Sequence, residues 1–94
     1  MYIVTNCTPT GNYTPSIFVH KKDAVDWIHE CTAGNIKAIV NDKDFSNMSN
    51  LEICEWGRDH LNVELSELRT AVHYVDYSYN IMEIFEVKED QING

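Results

Sequence analysis

Long apolar runs, a basic N-terminal segment and glycine-rich motifs are all missing from this chain of 94 residues. No stretch approaches the ~18 consecutive apolar residues that a membrane-spanning helix needs. Without a basic segment followed by a long apolar one, no secretory signal is expected, and the protein is predicted to be cytoplasmic. The length allows one domain with a single core.

Cysteine is also sparse, with three residues far apart at Cys7, Cys31 and Cys54. Such a set does not suit the disulfide framework of a small secreted protein, so reduced thiols are expected. Neither the cysteines nor the four histidines form a Cys-x-x-Cys, His-x-x-x-His or Glu-x-x-His pattern, and we predict no metal and no cofactor. Cys31 and Cys54 lie on apolar stripes and are predicted to be buried structural side chains.

Positive charge is scarce, because seven Lys and Arg stand against 15 Asp and Glu and give a net charge of −8. Residues 1–43 hold four acids and four bases, whereas residues 44–94 hold eleven acids and three bases. Binding to nucleic acid requires cationic side chains that displace counterions from phosphates, so direct binding is not expected. For the same reason, an anionic membrane surface is not expected to attract the chain.

The segment from Tyr74 to Lys88 alternates as a long β-strand does. Its odd positions are apolar except for Glu83, and its even positions are mostly polar. Because side chains alternate across a strand, the odd face is predicted to lie on the core. A hairpin that turns near Ser78 to Asn80 is the alternative.

Two shorter strands are predicted near the N-terminus, at Tyr2–Thr5 and Ser16–Val19. The intervening segment Asn6–Pro15 contains two prolines and a glycine and is predicted to be a loop. Across it, the two strands are expected to pair antiparallel. The last strand is expected to lie beside the first.

Helices are predicted in the middle of the chain. One begins at Lys21, has a core stripe of Ala24, Trp27, Ile28 and Cys31, and ends near Gly34. The segment Ile36–Val40 fits either a short strand or a further helical turn.

Ser49 and Glu52 have the spacing of a capping box at the start of a second helix. Gly57 predicts that this helix is short or ends there. Asn62 could cap a third helix, whose core stripe would be Leu65, Leu68 and Val72.

These elements predict an α+β domain over residues 1–88, with residues 89–94 as a frayed acidic tail. Its small antiparallel sheet has about three strands, the N-terminal β-β pair and the long C-terminal strand. Two to three helices pack on one face of that sheet.

Acidic residues recur at helical spacing. Asp23, Asp26 and Glu30 share one face of the first helix, and Glu52, Glu55 and Asp59 share one face of the second. Glu64 and Glu67 are predicted to continue the pattern on the third helix. Their spacing along a helix axis is roughly 5–6 Å, which is similar to the spacing of phosphates along a nucleic-acid strand. Charged helix faces also arise from solvation alone, but eleven acids against three bases is a marked imbalance.

The C-terminal strand offers further candidates. Tyr74, Asp76 and Glu86 lie on its even face and are predicted to extend the partner-binding surface. The strand could also bind a partner through an unpaired edge. Glu83, alone on the apolar face, could act as a general acid or base if buried. The favoured interpretation is that this face stops being core at Glu83, or that Arg58 or Arg69 pairs with it.

In size, acidity and lack of a catalytic signature, the chain resembles the small inhibitors carried by phages and mobile elements. These include anti-CRISPR and anti-restriction proteins, many of which occupy a nucleic-acid-binding surface. The resemblance is one of general character and covers no motif. It implies a non-enzymatic inhibitor that docks a carboxylate-rich face on the basic surface of a nucleic-acid-handling protein.

Two other functions are kept as alternatives. One is an accessory or scaffold domain that binds a partner protein through a sheet edge and tyrosines. The other is a small enzyme or ligand-binding domain that uses Glu83.

Overall fold

The structure is a computed structural model that describes residues 1–8, 11–74 and 77–88. Side chains are described for these residues outside 8–14 and 72–80. Within this part of the chain, five antiparallel strands form one sheet and two helices pack on one side of it, which confirms the predicted α+β class. The strands are β1 (Tyr2–Thr8), β2 (Gly11–Phe18), β3 (Glu64–Leu65), β4 (Arg69–Tyr74) and β5 (Tyr77–Glu86), and the helices are α1 (Lys21–Ile39) and α2 (Asn50–His60).

The strand order is β2-β1-β5-β4-β3, so the first and last long strands are neighbours, as predicted. The antiparallel pairing of β1 with β2 is also confirmed. The predicted loop at Asn6–Pro15 is wrong, because β1 continues to Thr8 and β2 begins at Gly11. Pro15 is tolerated because β2 is an edge strand and its register with β1 shifts between Val4 and Asn6.

Helix α1 does not end at Gly34 but continues to Ile39, so the segment from Ile36 is helical. The reason is that α1 has two partners. Its first half buries Ala24 and Ile28 against the sheet, and its second half buries Ala33 and Ile36 against α2. Tertiary packing on a second face outweighs the weak stop signal of one glycine.

Helix α2 begins with the predicted capping box. The Ser49 hydroxyl accepts a hydrogen bond from the Glu52 backbone N–H at 3.1 Å, and the Glu52 carboxylate accepts one from the Ser49 N–H at 3.0 Å. The helix passes through Gly57 and ends at His60. Gly57 is buried because α1 and the segment after α2 approach it closely.

The predicted third helix is wrong. Asn62 has a positive φ of 57°, and no helix begins at it. Asparagine tolerates this left-handed conformation better than most residues. The chain then forms β3 and β4, and Leu68 is 55% exposed, so it belongs to no core stripe.

The last strand faces the opposite way from the prediction. β4 and β5 form a hairpin whose strands end at Tyr74 and begin at Tyr77, ahead of the predicted turn near Ser78. The even residues Met82 and Ile84 are buried beneath α1, whereas Phe85 is 50% exposed. Both faces of β5 carry apolar residues, so alternation alone cannot tell which face the helices cover.

Two buried clusters hold these layers together. Val4, Ala24, Ile28, Met82 and Ile84 join α1 to the sheet. The second cluster joins α1, α2 and the segments that flank α2, and consists of Ala33, Ile36, Phe45, Ile53, Cys54 and Val63. The sheet face opposite the helices receives neither helix.

Candidate functional site

The predicted acidic ladders of the two helices are exposed. Glu52, Glu55 and Asp59 lie on α2 opposite its buried residues Ile53, Cys54 and Gly57. Asp23, Asp26 and Glu30 likewise lie on the solvent side of α1. Since α1 and α2 pack on each other, both ladders belong to one helical layer. We call these six residues the helical carboxylate face.

Some members of this face have structural partners. Asp26 pairs with Lys22 at 2.8 Å, and Asp59 lies 3.7 Å from the guanidinium of Arg58. The hydrogen bond that the Lys22 ammonium donates to the Asp26 carboxylate raises the pKa of that lysine. Among the described residues, Asp23, Glu30 and Glu55 form no ion pair or hydrogen bond through their carboxylates. These three carboxylates therefore remain available to an external cation.

Glu52 belongs to the helical carboxylate face and also to the capping box of α2. The hydrogen bond from the Ser49 backbone N–H holds the pKa of its carboxyl below the usual range. A carboxylate in the first turn is also favoured by the helix dipole. Its charge can contribute to binding, but a substitution that removes the hydrogen-bond acceptor would also disturb the start of α2.

Glu64 and Glu67 do not continue the helical ladder, which corrects the prediction for them. Glu64 lies on β3, the edge strand, and Glu67 lies in the bend before β4. Glu67 pairs with Lys21 at the start of α1 and raises the pKa of that lysine. This contact joins the bend to the helix at the protein surface.

The sheet candidates lie apart from the helical ones. Glu86 is exposed at the end of β5, directly opposite Tyr2 of β1. Tyr74 ends β4, and its side chain is not among those described. Asp76 lies outside the described residues. The structure therefore groups Glu52, Glu55 and Asp59 on α2 and places Glu64, Glu67 and Glu86 on or beside the strands.

Glu83 lies on the sheet face opposite the helices and is half-buried. Its register neighbours are Thr5 on β1 and Arg69 on β4. Arg69 was one of the two predicted partners, and it is adjacent on the sheet, yet no ion pair within 4 Å joins the two side chains in the described part of the chain. Glu83 and Arg69 thus lie side by side on the sheet face that also carries Ile17 and Phe85.

The exposed apolar residues of this second sheet face were missed from the sequence. Ile17 is 63% exposed and Phe85 is 50% exposed, and both are register neighbours of Ile3. A signal was present in β5, where Ile81 and Phe85 alternate with Met82 and Ile84. Because both helices pack on the face that carries Met82 and Ile84, they leave Ile81 and Phe85 on the opposite face uncovered.

Of the two helix cysteines, Cys54 is buried, as predicted, whereas Cys31 is only half-buried. Cys54 is buried and its thiol lies 3.4 Å from the backbone carbonyl of His29, to which it donates. Burial raises its pKa to about 11, and burial also raises the pKa of Cys31. Thiols with raised pKa values are poor nucleophiles at neutral pH. No group of three or more His, Cys, Asp or Glu within the described residues could hold a metal ion.

An open cavity of about 450 Å³ lies beside the C-terminal end of α1. Its lining includes Lys37, Asn41 and Lys43, with Phe45 and Met48 as apolar elements. The Lys43 ammonium lies 5.3 Å from the centroid of the Trp56 ring and 5.7 Å from that of Phe45. Glu83 is not part of this cavity, and neither is the helical carboxylate face.

Comparison with family models, with curated proteins and with solved structures finds no match to this chain. Function must therefore be inferred from the surfaces themselves. Among the described residues, no helix has the length and apolarity needed to cross a membrane.

Proposed function

We propose that this protein is a non-enzymatic inhibitor that docks its helical carboxylate face on a basic surface of a partner protein. The observation that carries the proposal is the exposure of all six carboxylates on one helical layer, three of which have no ion-pair or hydrogen-bond partner among the described residues. Like charges at helical spacing cost a few tenths of a kcal/mol each. A cationic partner would relieve that repulsion.

The partner's surface is proposed to be one that binds nucleic acid. Lysine and arginine side chains placed to contact successive phosphates would meet carboxylates spaced roughly 5–6 Å along a helix axis. Occupying such a surface would block the nucleic acid without any chemistry by this protein. A phage or mobile-element inhibitor of a nucleic-acid-handling enzyme is the type of protein that this mode of action suits.

Electrostatic attraction of this kind acts mainly on association. A negative face approaching a positive one raises the association rate constant by orders of magnitude at low salt, and the effect falls steeply as salt screens it. The three free thiols suit a reducing compartment, and we place the interaction in the cytoplasm.

The test uses wild-type protein and a neutralised variant as two baits for a host lysate at low salt. The variant combines Glu52→Gln, Glu55→Gln and Asp59→Asn. Glutamine at position 52 can still accept the capping hydrogen bond, so α2 is retained while three charges are lost. Circular dichroism verifies that both baits are folded. We expect a protein that binds the wild-type bait, elutes with salt and is absent from the variant.

The captured partner is then mixed with wild-type protein in a stopped-flow instrument. The association rate constant is expected to fall at least tenfold between low salt and 0.5 M NaCl, as expected for steered association. The partner should also lose its nucleic acid when this protein is added. Equal capture by both baits, or an association rate that does not respond to salt, would refute the proposal.

A further inference from the structure

The open cavity at the C-terminal end of α1 gathers positive charge on a chain whose net charge is −8. Its lining contains two lysines, Lys37 and Lys43, and a single acid, Asp44. Solubility does not require positive charge here, because the acids elsewhere already keep the net charge of the chain far from zero. A cavity with a net positive lining on so acidic a protein therefore requires a different explanation.

Neither cavity lysine is neutralised by an ion pair. Within the part of the chain that the structure describes, no carboxylate lies within 4 Å of the ammonium group of Lys37 or Lys43. By contrast, Lys21 and Lys22, in the first turn of α1, each pair with a carboxylate. The two ammonium groups at the cavity are thus available to an anion from outside the chain.

The two lysines are at the cavity for different reasons. Lys37 lies in the last turn of α1, where its charge offsets the negative end of the helix dipole. Lys43 lies beyond the helix. Its ammonium is 5.7 Å from the centroid of the Phe45 ring and 5.3 Å from that of Trp56, within the range of cation–π contacts. These rings hold the ammonium beside the cavity, which reduces the side-chain entropy that ligand binding would cost.

The uncharged polar side chains of the cavity add hydrogen-bond donors. Asn41 supplies an amide and Ser46 supplies a hydroxyl. The Asp44 carboxylate accepts a hydrogen bond from the Ser46 backbone N–H at 2.9 Å, so part of its capacity is used within the loop. Two ammonium groups, an amide and a hydroxyl suit an anion with several oxygens. A phosphate group presents three strong acceptor oxygens, whereas a carboxylate presents two.

The size of the cavity indicates a small ligand. Its volume of about 450 Å³ falls within the range of small-molecule sites. Nucleic acid is disfavoured as the occupant, because two lysines replace few counterions and a long polyanion would meet the acids of the helical layer. Val40, Phe45 and Met48 form a small apolar part of the lining. That part suits the carbon skeleton of an organic phosphate.

We propose that this cavity is a phosphate-binding site, which holds the phosphate group of a small molecule between Lys37 and Lys43 with Asn41 and Ser46 as neutral donors. Exposed charges contribute modestly, so we expect a Kd of about 1–10 mM. The inference does not rest on docking of the helical carboxylate face, which uses other residues. Free phosphate and a phosphorylated polyol present the same group, and the experiment distinguishes these two sources.

The test is an NMR titration of the isotope-labelled full chain with sodium phosphate to about 50 mM, with NaCl adjusted to hold the ionic strength constant. The backbone amide signals of residues 41–48 are expected to shift and to saturate. Glycerol phosphate and glycerol are titrated in the same way. Tighter binding of glycerol phosphate would assign the site to an organic phosphate, and tighter or equal binding of inorganic phosphate would assign it to the free anion. Glycerol itself should shift none of these signals.

Charge-removing variants locate the site. Lys37→Gln and Lys43→Gln are each expected to weaken phosphate binding at least threefold, and the double variant should show no saturation. The matched control is Lys22→Gln, which loses the same charge on the same helix about 22 Å from Lys37 along the axis and should bind like the wild type. Circular dichroism verifies that all variants are folded. A wild type without saturable shifts, equal binding by the double variant, or acetate that binds as tightly as phosphate would overturn the proposal.

Discussion

Gly34 and Gly57 both lie inside helices, but their surroundings are opposite. A Cβ added at Gly34 meets no atom within 4 Å, whereas one at Gly57 lies 2.6 Å from Cδ1 of Ile36 and 3.0 Å from Cγ2 of Val63. Alanine is favoured over glycine in a helix by about 1 kcal/mol. At position 57 this gain competes with overpacking in the core, which costs roughly 1–3 kcal/mol.

We therefore expect opposite signs for the same substitution. Gly34→Ala should raise the free energy of unfolding by about 0.5–1 kcal/mol, and Gly57→Ala should lower it by about 1 kcal/mol. Urea denaturation followed by circular dichroism measures both, and each variant is the control for the other. Stabilisation by Gly57→Ala would mean that the buried Ile36 side chain can move aside.

At the scale of elements, the cap of α2 is the feature best defined by local sequence. Ser49→Ala removes the hydroxyl that accepts the Glu52 N–H and is expected to cost about 1 kcal/mol, as for other N-cap serines. Glu55→Gln, on the same helix but outside the cap, is the matched control and should change stability little. A loss of equal size in both variants would indicate a general effect on α2.

The same cap predicts a pH dependence. Because the pKa of Glu52 is lowered in the folded protein, its carboxylate stabilises the fold above the unfolded pKa, which is about 4.3. This contribution is lost as the pH falls through the lower folded value. Unfolding free energies of wild type and Glu52→Gln should therefore converge as the pH falls below the unfolded pKa. Curves that stay parallel would mean that the carboxylate does not stabilise the cap.

The elements show which parts of the fold follow from sequence. The Ser49 cap and the start of α1 depend on residues a few positions apart, and both were predicted correctly. The ends of α1 and of the first hairpin were not, because α2 packs beyond Gly34 and an edge position tolerates Pro15. These are contacts between distant segments.

Among the candidate site residues, too, those that depend on local sequence were predicted correctly and those that depend on tertiary structure were not. Exposure of Glu52, Glu55 and Asp59 follows from helical periodicity, so it was predictable. The positions of Glu64 and Glu67 depended on Asn62 capping a helix, and its positive φ ends that possibility. The exposed apolar residues Ile17 and Phe85 could not be located on the second sheet face, because β5 is apolar on both faces and only the helices determine which face is covered.

At the scale of the whole molecule, the excess of acids from Asp44 onward should make the fold sensitive to salt. Raising NaCl from 10 to 150 mM shortens the Debye length from about 30 Å to about 8 Å. The shorter length is smaller than the 29 Å and 50 Å dimensions of the molecule, so acids on distant parts of the surface no longer repel one another. Because this repulsion destabilises the folded state, we expect the added salt to raise the free energy of unfolding by roughly 0.5–1 kcal/mol. The double variant Glu30→Gln with Glu55→Gln lacks two unpaired acids. It should be more stable than the wild type at low salt, and its stability should change less when salt is added. Thermal unfolding at low protein concentration measures both, and destabilisation by salt would instead show that ion pairs such as Lys21–Glu67 dominate.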